Sequence, residues 1–205
     1  MVIVVTGGIG SGKSEVCRII RNMYGLPLYE ADSKAKELYV RYPELLESIE
    51  KAFGSGFRNE QGVFQPYLLA QRIFGNEAAV AVVESLLFPY MIADFNDFAS
   101  SSGNIIIFES ATVLEKPQFK GFADKVILVD APFDVRLDRA CRRDGTTREQ
   151  VIARMQGQKL MNEFSEGLVP VHVDEIIMNN GTVEDLKVAV KEVMDRLLTP
   201  DIKNN

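Results

Sequence analysis

The chain has 205 residues, 46% of them hydrophobic, and a formal net charge of −6. That length fits one domain, or one core with an inserted lobe, and the apolar share is enough to fill it. The acidic balance argues against nucleic acid as the main partner, because phosphate backbones are gripped by basic surfaces.

No uninterrupted apolar run approaches the roughly 20 residues of a membrane span. The N-terminal apolar run is too short for a signal peptide and has no basic region before it. A cytoplasmic protein with no membrane partner is therefore expected. Cys17 and Cys141 stand alone within helical stretches and read as buried small residues, not as a disulfide or zinc pair.

Val2-Ile3-Val4-Val5 predicts a first strand. It runs into Thr6-Gly7-Gly8-Ile9-Gly10-Ser11-Gly12-Lys13-Ser14, and apolar residues at helical spacing follow (Val16, Ile19, Ile20, Met23). Strand, glycine-rich turn, helix is the context that makes G-x-x-x-x-G-K-S a phosphate-binding P-loop. The loop can turn successive N–H groups of Gly8, Ile9, Gly10, Ser11 and Gly12 toward phosphate oxygens. The helix start adds its positive end, Lys13 reaches the β- and γ-phosphates, and the Ser14 hydroxyl ligates Mg²⁺. A dinucleotide fingerprint fails, since Lys13 stands where its third glycine belongs.

The first helix is expected from about Lys13 to Tyr24, stopped by Gly25. Leu26 to Tyr29 predicts the second strand, followed by Glu30-Ala31-Asp32-Ser33. Two acids at a strand's carboxyl end lie where open α/β sheets bind ligands. Asp32 equally suits the N-cap of a helix over Lys34 to Val40. Residues 33–102 contain no convincing strand. Helices are predicted from Pro43, carrying Leu45, Leu46, Ile49 and Phe53, and from Gln65 to Phe74, with the turn-rich 54–62 between them. Another covers Asn76 to Ala99, interrupted at Phe88-Pro89. This stretch reads as an inserted helical lobe.

Asn104 to Phe108 is almost wholly apolar, as in a strand buried on both faces, and ends at Glu109, a candidate Mg²⁺- or water-organising carboxylate. Val126 to Val129 ends at Asp130, and Pro132 opens a helix. Arg136, Arg139 and Arg143 share a face of that helix by spacing, with Arg142 turned away. Thr147 and Gln150 form a capping box for another helix through Arg154. The two arginine-bearing helices read as a lid over phosphates, in preference to the alternative of a solvated basic face. Asp174 to Met178 is the last strand, Asn179-Asn180-Gly181 a turn, and Thr182 the cap of a closing helix with Leu186, Val190, Val193, Met194 and Leu197. The tail from Pro200 is polar and expected to fray.

This order resembles the nucleotide- and nucleoside-kinase class, and most closely the dephospho-CoA kinase family. The resemblance is carried by residues 6–14, Ala31-Asp32, Arg72-Ile73-Phe74, Glu109-Ser110-Ala111 through Leu114-Glu115, Arg139 with Arg143-Asp144, Arg154-Met155 with Gln158, and Ile177 to Asn179 with Gly181. It implies a three-layer α/β fold, a five-stranded parallel sheet with helices on both faces. One domain over 1–205 is expected, with a core of 1–32, 103–138 and 174–205, a substrate-binding insertion at 33–102 and a lid at 139–173.

The resemblance implies ATP-dependent phosphorylation of the ribose 3′-hydroxyl of dephospho-CoA, with Asp32 as general base and Lys13 and Arg143 on the transferring phosphate. Residues 8–15, including Glu15, together with Arg139 and Asn179, are implied for ATP, and Ser14 for Mg²⁺. Asp32, Arg72, Phe88, Glu109 and Glu115 are implied for the acceptor, and the enzyme is expected to be a monomer or weak homo-oligomer.

Three features depart from the family pattern. Glu30 replaces the first acid of Asp-Ala-Asp. Phe88-Pro89 stands where His-Pro is common. The segment Lys159 to Val173 is long, lacks the downstream lid arginine, and holds His172, the sole histidine. A kinase for another nucleoside, nucleotide or small alcohol is the nearest alternative. A GTPase-like switch is disfavoured, because no Asn-Lys-x-Asp motif is present and Asp130-Ala131-Pro132-Phe133 is not Asp-x-x-Gly.

Overall fold

The computed structural model describes residues 1–167 and 172–199. The expectation for the tail from Pro200, and part of that for Lys159 to Val173, fall outside them. Two compact units divide the chain: Met1–Tyr29 with Ser102–Asn205, and Glu30–Ser101.

The first unit is built on a five-stranded sheet of β1 (Val2–Gly7), β2 (Leu28–Glu30), β3 (Ile106–Glu109), β4 (Lys125–Asp130) and β5 (Glu175–Met178), in the order β2-β3-β1-β4-β5. β1 pairs in parallel with β3 and β4, and β4 with β5. The connection leaving β1 runs to one side of the sheet and the one leaving β3 to the other, so the adjacent carboxyl ends of β1 and β3 are the switch point where such sheets open a ligand crevice. β2 begins later than the sequence predicts. Pro27 sits outside it and uses its carbonyl to accept from Ile107 N at 2.9 Å.

The inner strands are apolar on both faces, as the sequence requires. On one face Ile3, Val5, Ile107, Ile127, Val129 and Ile177 pack with α1 (Lys13–Tyr24) and α9 (Val183–Leu198). α1 closes at Gly25, whose N–H returns to Arg21 O at 2.9 Å. α9 opens on a complete capping box between Thr182 and Asp185. On the other face Phe108 stacks on Tyr29 at 5.1 Å and meets the edge of Phe122 at 4.8 Å. Cys17 is buried as expected, whereas Cys141 is only half-buried at the border of a small cluster formed by Leu137, Ala140, Val151 and Met155.

The arginine-bearing region forms α6 (Phe133–Asp144), α7 (Arg148–Gln156) and α8 (Lys159–Ser165). Pro132 is the N-cap of α6 and not its first helical residue. The expected capping box of α7 is half formed. Thr147 Oγ1 accepts from Gln150 N, but the Gln150 side chain turns to Thr146. No helix is predicted from the sequence where α8 forms.

The second unit holds α2 (Ala31–Arg41), α3 (Pro43–Phe53), α4 (Pro66–Ile73) and α5 (Glu77–Ser101), with α5 packed against the other three. Its core includes Leu38, Leu45, Ile49, Leu69, Leu87 and Met91, and Tyr39 meets Phe64 at 4.8 Å. Asp94 is buried on α5 and accepts from Arg41 Nη1 at 2.6 Å.

One expectation fails at α5: it does not break at Phe88-Pro89 but continues through Pro89. Proline costs one helical hydrogen bond and a ring contact with the preceding turn. Val83, Leu87, Phe88, Met91 and Phe95 lie buried on both sides of it and outweigh that local penalty. α5 is also long and apolar enough to cross a membrane by length and composition alone, with a mean hydropathy of 1.6 in its best window, although Glu84 and Asp94 interrupt the apolar run.

Pro89 is exposed, so its ring contributes little packing. Pro89→Ala should raise the unfolding free energy by about 1–3 kcal/mol by restoring the helical bond. Urea denaturation measures this, and an unchanged or lowered midpoint would show that the ring is needed where it stands.

Candidate active site

The site begins where β1 ends. Ser11 N donates to Gly8 O at 3.1 Å, and Gly10, third of these four residues, has φ 76°. That geometry is a type II turn with Ile9 at its second position. Gly12 follows at φ 99° as the N-cap of α1, with no side chain to cap the helix. The first N–H groups of α1 therefore face the loop's concavity, the arrangement that binds anions.

The loop is pressed against its neighbours. A Cβ on Gly8 would lie 2.1 Å from Arg136 Nη1, and one on Gly10 the same distance from the Arg136 carbonyl oxygen. Lys13 Nζ lies over the loop, donating to Gly7 O at 2.9 Å and Gly8 O at 3.2 Å. Ser14 Oγ donates to Glu109 Oε1 at 3.0 Å. Strand register explains that contact, because Glu109 is the β3 partner of Val5.

On the other side of the loop, Asn179 N donates to Asp130 O at 2.7 Å and its Nδ2 to Ser11 O at 2.8 Å. Arg139 Nη1 donates to Asn179 O at 3.0 Å. Arg139 and Asn179, with Gly12, Thr182 and Leu186, line a cavity of about 250 Å³. Glu15 is on its rim, paired with Arg18, whose hydrogen bond holds the Glu15 carboxyl below its ordinary range.

The predicted arginine face is corrected by depth. Arg136 is not on the open surface with Arg139 and Arg143. It is 8% exposed, beneath the P-loop, with Nε 3.6 Å from Asp130 Oδ1. Both atoms are buried without a hydrogen-bond partner among the described residues. Arg139 is half-buried on the Asn179 carbonyl. Arg142 and Arg143 are exposed, and Arg143 forks onto Asp144 at 2.7 and 3.1 Å. Arg154 Nη1 donates to the same carboxylate at 2.7 Å. Two guanidinium groups, Arg143 foremost, hold Asp144 down to about 2.

Glu115, expected to face the acceptor, caps α8: its Oε1 accepts from Leu160 N at 2.8 Å. Burial pushes its carboxyl above the usual range despite that bond. Gln158 was singled out in sequence only as part of a motif. It is buried and accepts from Ile9 N at 2.7 Å. Neither Gln158 nor the inward turn of Arg136 carries a periodic or compositional signal.

In the second unit, Asp32 is not the N-cap of α2. Glu30 takes that position, in an extended conformation without a side-chain cap bond, and Asp32 lies inside the first turn. A carboxylate there favours the helix through its dipole. Arg72 Nη1 donates to Phe53 O at 2.9 Å, and its guanidinium lies over the Phe57 ring, 5.6 Å from the centroid. Phe88 is buried on α5.

A larger cavity of about 560 Å³ lies at the opposite end of β4, around Val126, Phe119, Lys120 and Glu115. His172 opens onto it, 85% exposed, with Nε2 3.5 Å from Asp174 Oδ1. That cavity touches no P-loop residue. Chemistry rather than volume selects the smaller one, which is lined by a helix N-terminus and an arginine.

The donor set also discriminates among metals. The hydroxyl of Ser14 and the carboxylate of Glu109 are hard oxygens, suited to Mg²⁺ that keeps water and substrate phosphates as its other ligands. Among the described residues no three His, Cys, Asp or Glu side chains gather as an all-protein metal cage.

A family model described as dephospho-CoA kinase matches residues 1–185. A dephospho-CoA kinase from Chlorobium chlorochromatii is 34% identical over 202 residues, covering 95% of this chain and 92% of the relative. One from Porphyromonas gingivalis is 33% identical over 175 residues, 85% of this chain and 84% of the relative. A crystal structure from Thermus thermophilus superposes with a TM-score of 0.77 at 26% identity, covering 96% of this chain and 97% of that one. A shikimate kinase from Acinetobacter baumannii, with a TM-score of 0.55 at 14% identity over 98% of this chain and 95% of its own, shares the fold. With the P-loop, the parallel α/β sheet and residues 1–185 of 205 all matching, the chain belongs to the dephospho-CoA kinase family.

Proposed function

We propose that the chain transfers the γ-phosphoryl group of ATP to the ribose 3′-hydroxyl of dephospho-CoA, the final step of coenzyme A synthesis. The observation that carries this reading is the P-loop cradle with Ser14 bonded to Glu109 at 3.0 Å on its rim. Phosphoryl transfer asks a protein chiefly to position its reactants and neutralise charge. The N–H groups of Gly10 and of Gly12 to Ser14 hold the phosphates and Lys13 balances their charge, while those of Ile9 and Ser11, expected on the phosphates, are bonded within the protein and shape the loop. The adenine enters the cavity beside Gly12, against the Arg139 guanidinium and the backbone around Asn179.

Ser14 and Glu109 would hold Mg²⁺. When bound, the metal supplies positive charge that neutralises the phosphate oxygens. The Glu30–Ser101 unit takes up the acceptor, and Asp32 accepts the hydroxyl proton late in transfer. Arg143 reaches the transferring phosphate by exchanging one anionic partner, Asp144, for another. α7 and α8 serve as the lid, and the enzyme works in the cytoplasm as a monomer or weak homo-oligomer.

A coupled assay for ADP release, run with and without dephospho-CoA, tests the proposal. Release should depend on dephospho-CoA and stay near background with ATP alone. Faster turnover of a nucleoside, a nucleotide or another small alcohol would overturn the acceptor assignment.

Three substitutions test the roles. Lys13→Ala should abolish transfer and leave the circular dichroism spectrum unchanged, because the Lys13 side chain donates to loop carbonyls. Loss of helical signal, or turnover near wild type, would contradict the role.

Asp32→Asn should keep ATP affinity and lose roughly 10²–10⁴-fold in kcat. If Asp32 only complements the α2 dipole, the same change costs about 0.3–1 kcal/mol of stability and leaves turnover intact.

Arg143→Lys should lower kcat on the order of 10³-fold, since an ammonium cannot hold two phosphate oxygens as a planar fork does. Arg142→Lys is the control and should cost far less. Equal losses at the two positions would mean that the phosphate-facing side of α6 is misassigned.

A further inference from the structure

The P-loop turn is held by two groups outside the P-loop motif. The Arg136 guanidinium and carbonyl fill the places where Gly8 and Gly10 would carry side chains. Gln158 Oε1 accepts from Ile9 N at 2.7 Å. Gln158 is 5% exposed and is the N-cap of α8.

Its own backbone is fixed. Gln158 N donates to Met155 O at 3.1 Å, closing the end of α7, and Gln158 O accepts from Asn162 N at 3.1 Å, opening α8. Two residues on, Leu160 N is bound by Glu115 from the 113–115 turn. A side chain anchored this way holds its acceptor in place at little entropic cost.

We propose that Gln158 is a positioning residue for the nucleotide site: through the Ile9 N–H it sets the shape of the P-loop turn and ties that shape to the junction of α7 and α8. Ile9 precedes Gly10, the residue whose positive φ turns the following N–H groups inward. Fixing the Ile9 peptide therefore fixes the direction of the N–H groups from Gly10 onward. Displacement of the α7–α8 junction pulls on the same peptide, so nucleotide binding and the position of these helices are coupled. The inference rests on the P-loop being the nucleotide site and is independent of which alcohol accepts the phosphate.

The bond can be cut from either end. Gln158→Leu removes the acceptor and keeps the volume. Ile9→Pro removes the donor, and proline suits the second position of a type II turn. ADP affinity of the full chain, measured by calorimetry, reads the effect without chemistry. Gln158→Leu should weaken ADP binding about tenfold, the loss expected when a shielded N–H is left without its partner. KM for ATP should rise in parallel, with kcat changing less. On the Ile9→Pro background the same Gln158→Leu change should cost less than twofold, because the bond it would break is already gone.

Equal losses in the two backgrounds would overturn the proposal. So would a Gln158→Leu protein that melts earlier but binds ADP as wild type does, since Gln158 would then be only structural. If Ile9→Pro does not fold, exchange of the Ile9 amide proton decides. Exchange at least tenfold faster in Gln158→Leu supports the bond's role, and unchanged exchange refutes it. A wild-type chain that binds ADP but phosphorylates no dephospho-CoA would sink the acceptor reading and leave this one standing.

Discussion

The absence of Cβ atoms along the P-loop is the constraint on which the rest of the first unit depends. At Gly7, Gly8, Gly10 and Gly12 a methyl group would come within 2.1 Å of Val129 O, Arg136 Nη1, Arg136 O and Asn179 Nδ2 respectively. The loop is therefore packed as tightly as a core, although it is made of turn residues. That contact draws the carboxyl ends of β1 and β4, the first turns of α6 and the β5–α9 turn to one point. Ser14 and Glu109 meet because adjacent parallel strands end side by side there. Flexibility in the unfolded glycines is exchanged for close approach in the folded loop.

Where local rules and tertiary packing agree, the elements could be read from the chain alone. α1 has a periodic apolar face and a glycine stop, and its observed limits are Lys13 and Tyr24. The apolar strands β3 and β4 and the capping box of α9 were equally legible. The failures are non-local. α8 has seven residues and no side-chain cap bond from its own N-cap, and its first turn is bound by Glu115, 45 residues earlier. Pro89 looks like a stop only until the apolar residues on both sides of it are packed. Asp32 was one of two acids at a strand end, and only the backbone decides which of them precedes the helix. In the site, the P-loop chemistry was legible because its mechanism needs a contiguous motif. The Gln158–Ile9 bond joins residues 149 apart, and no local pattern announces it.

Helical spacing assigned the α6 arginines to one face, and the face is real, but α6 changes surroundings along its length. Its first turns lie against the P-loop, where Arg136 is buried beside Asp130. The middle turn meets the Asn179 carbonyl through Arg139, and the last is in water, where Arg143 and Arg154 share Asp144. Identical side chains thus do different work. A buried guanidinium is held by its surroundings and cannot exchange partners cheaply. The exposed pair can, since surface ion pairs are weak and screened. Of the α6 arginines, those at the exposed end can therefore exchange partners at least cost, which is what the proposed phosphate contact of Arg143 requires.

The same reasoning removes an apparent contradiction in the charge. A chain of net charge −6 is an unpromising receptor for a nucleotide polyanion if charge is averaged over the surface. Exposed charges farther away than about 10 Å are screened at ordinary ionic strength, so the average carries little weight. What acts on a phosphate in the loop is the nearest shell: uncapped N–H groups, the start of α1, Lys13, and the arginines of α6. Glu15 and Asp144 stand in that neighbourhood, but each is already paired with arginine, Glu15 with Arg18 and Asp144 with Arg143 and Arg154. Glu109 also meets the loop, through Ser14, so the proposed Mg²⁺ would lie where a carboxylate and the phosphates face each other.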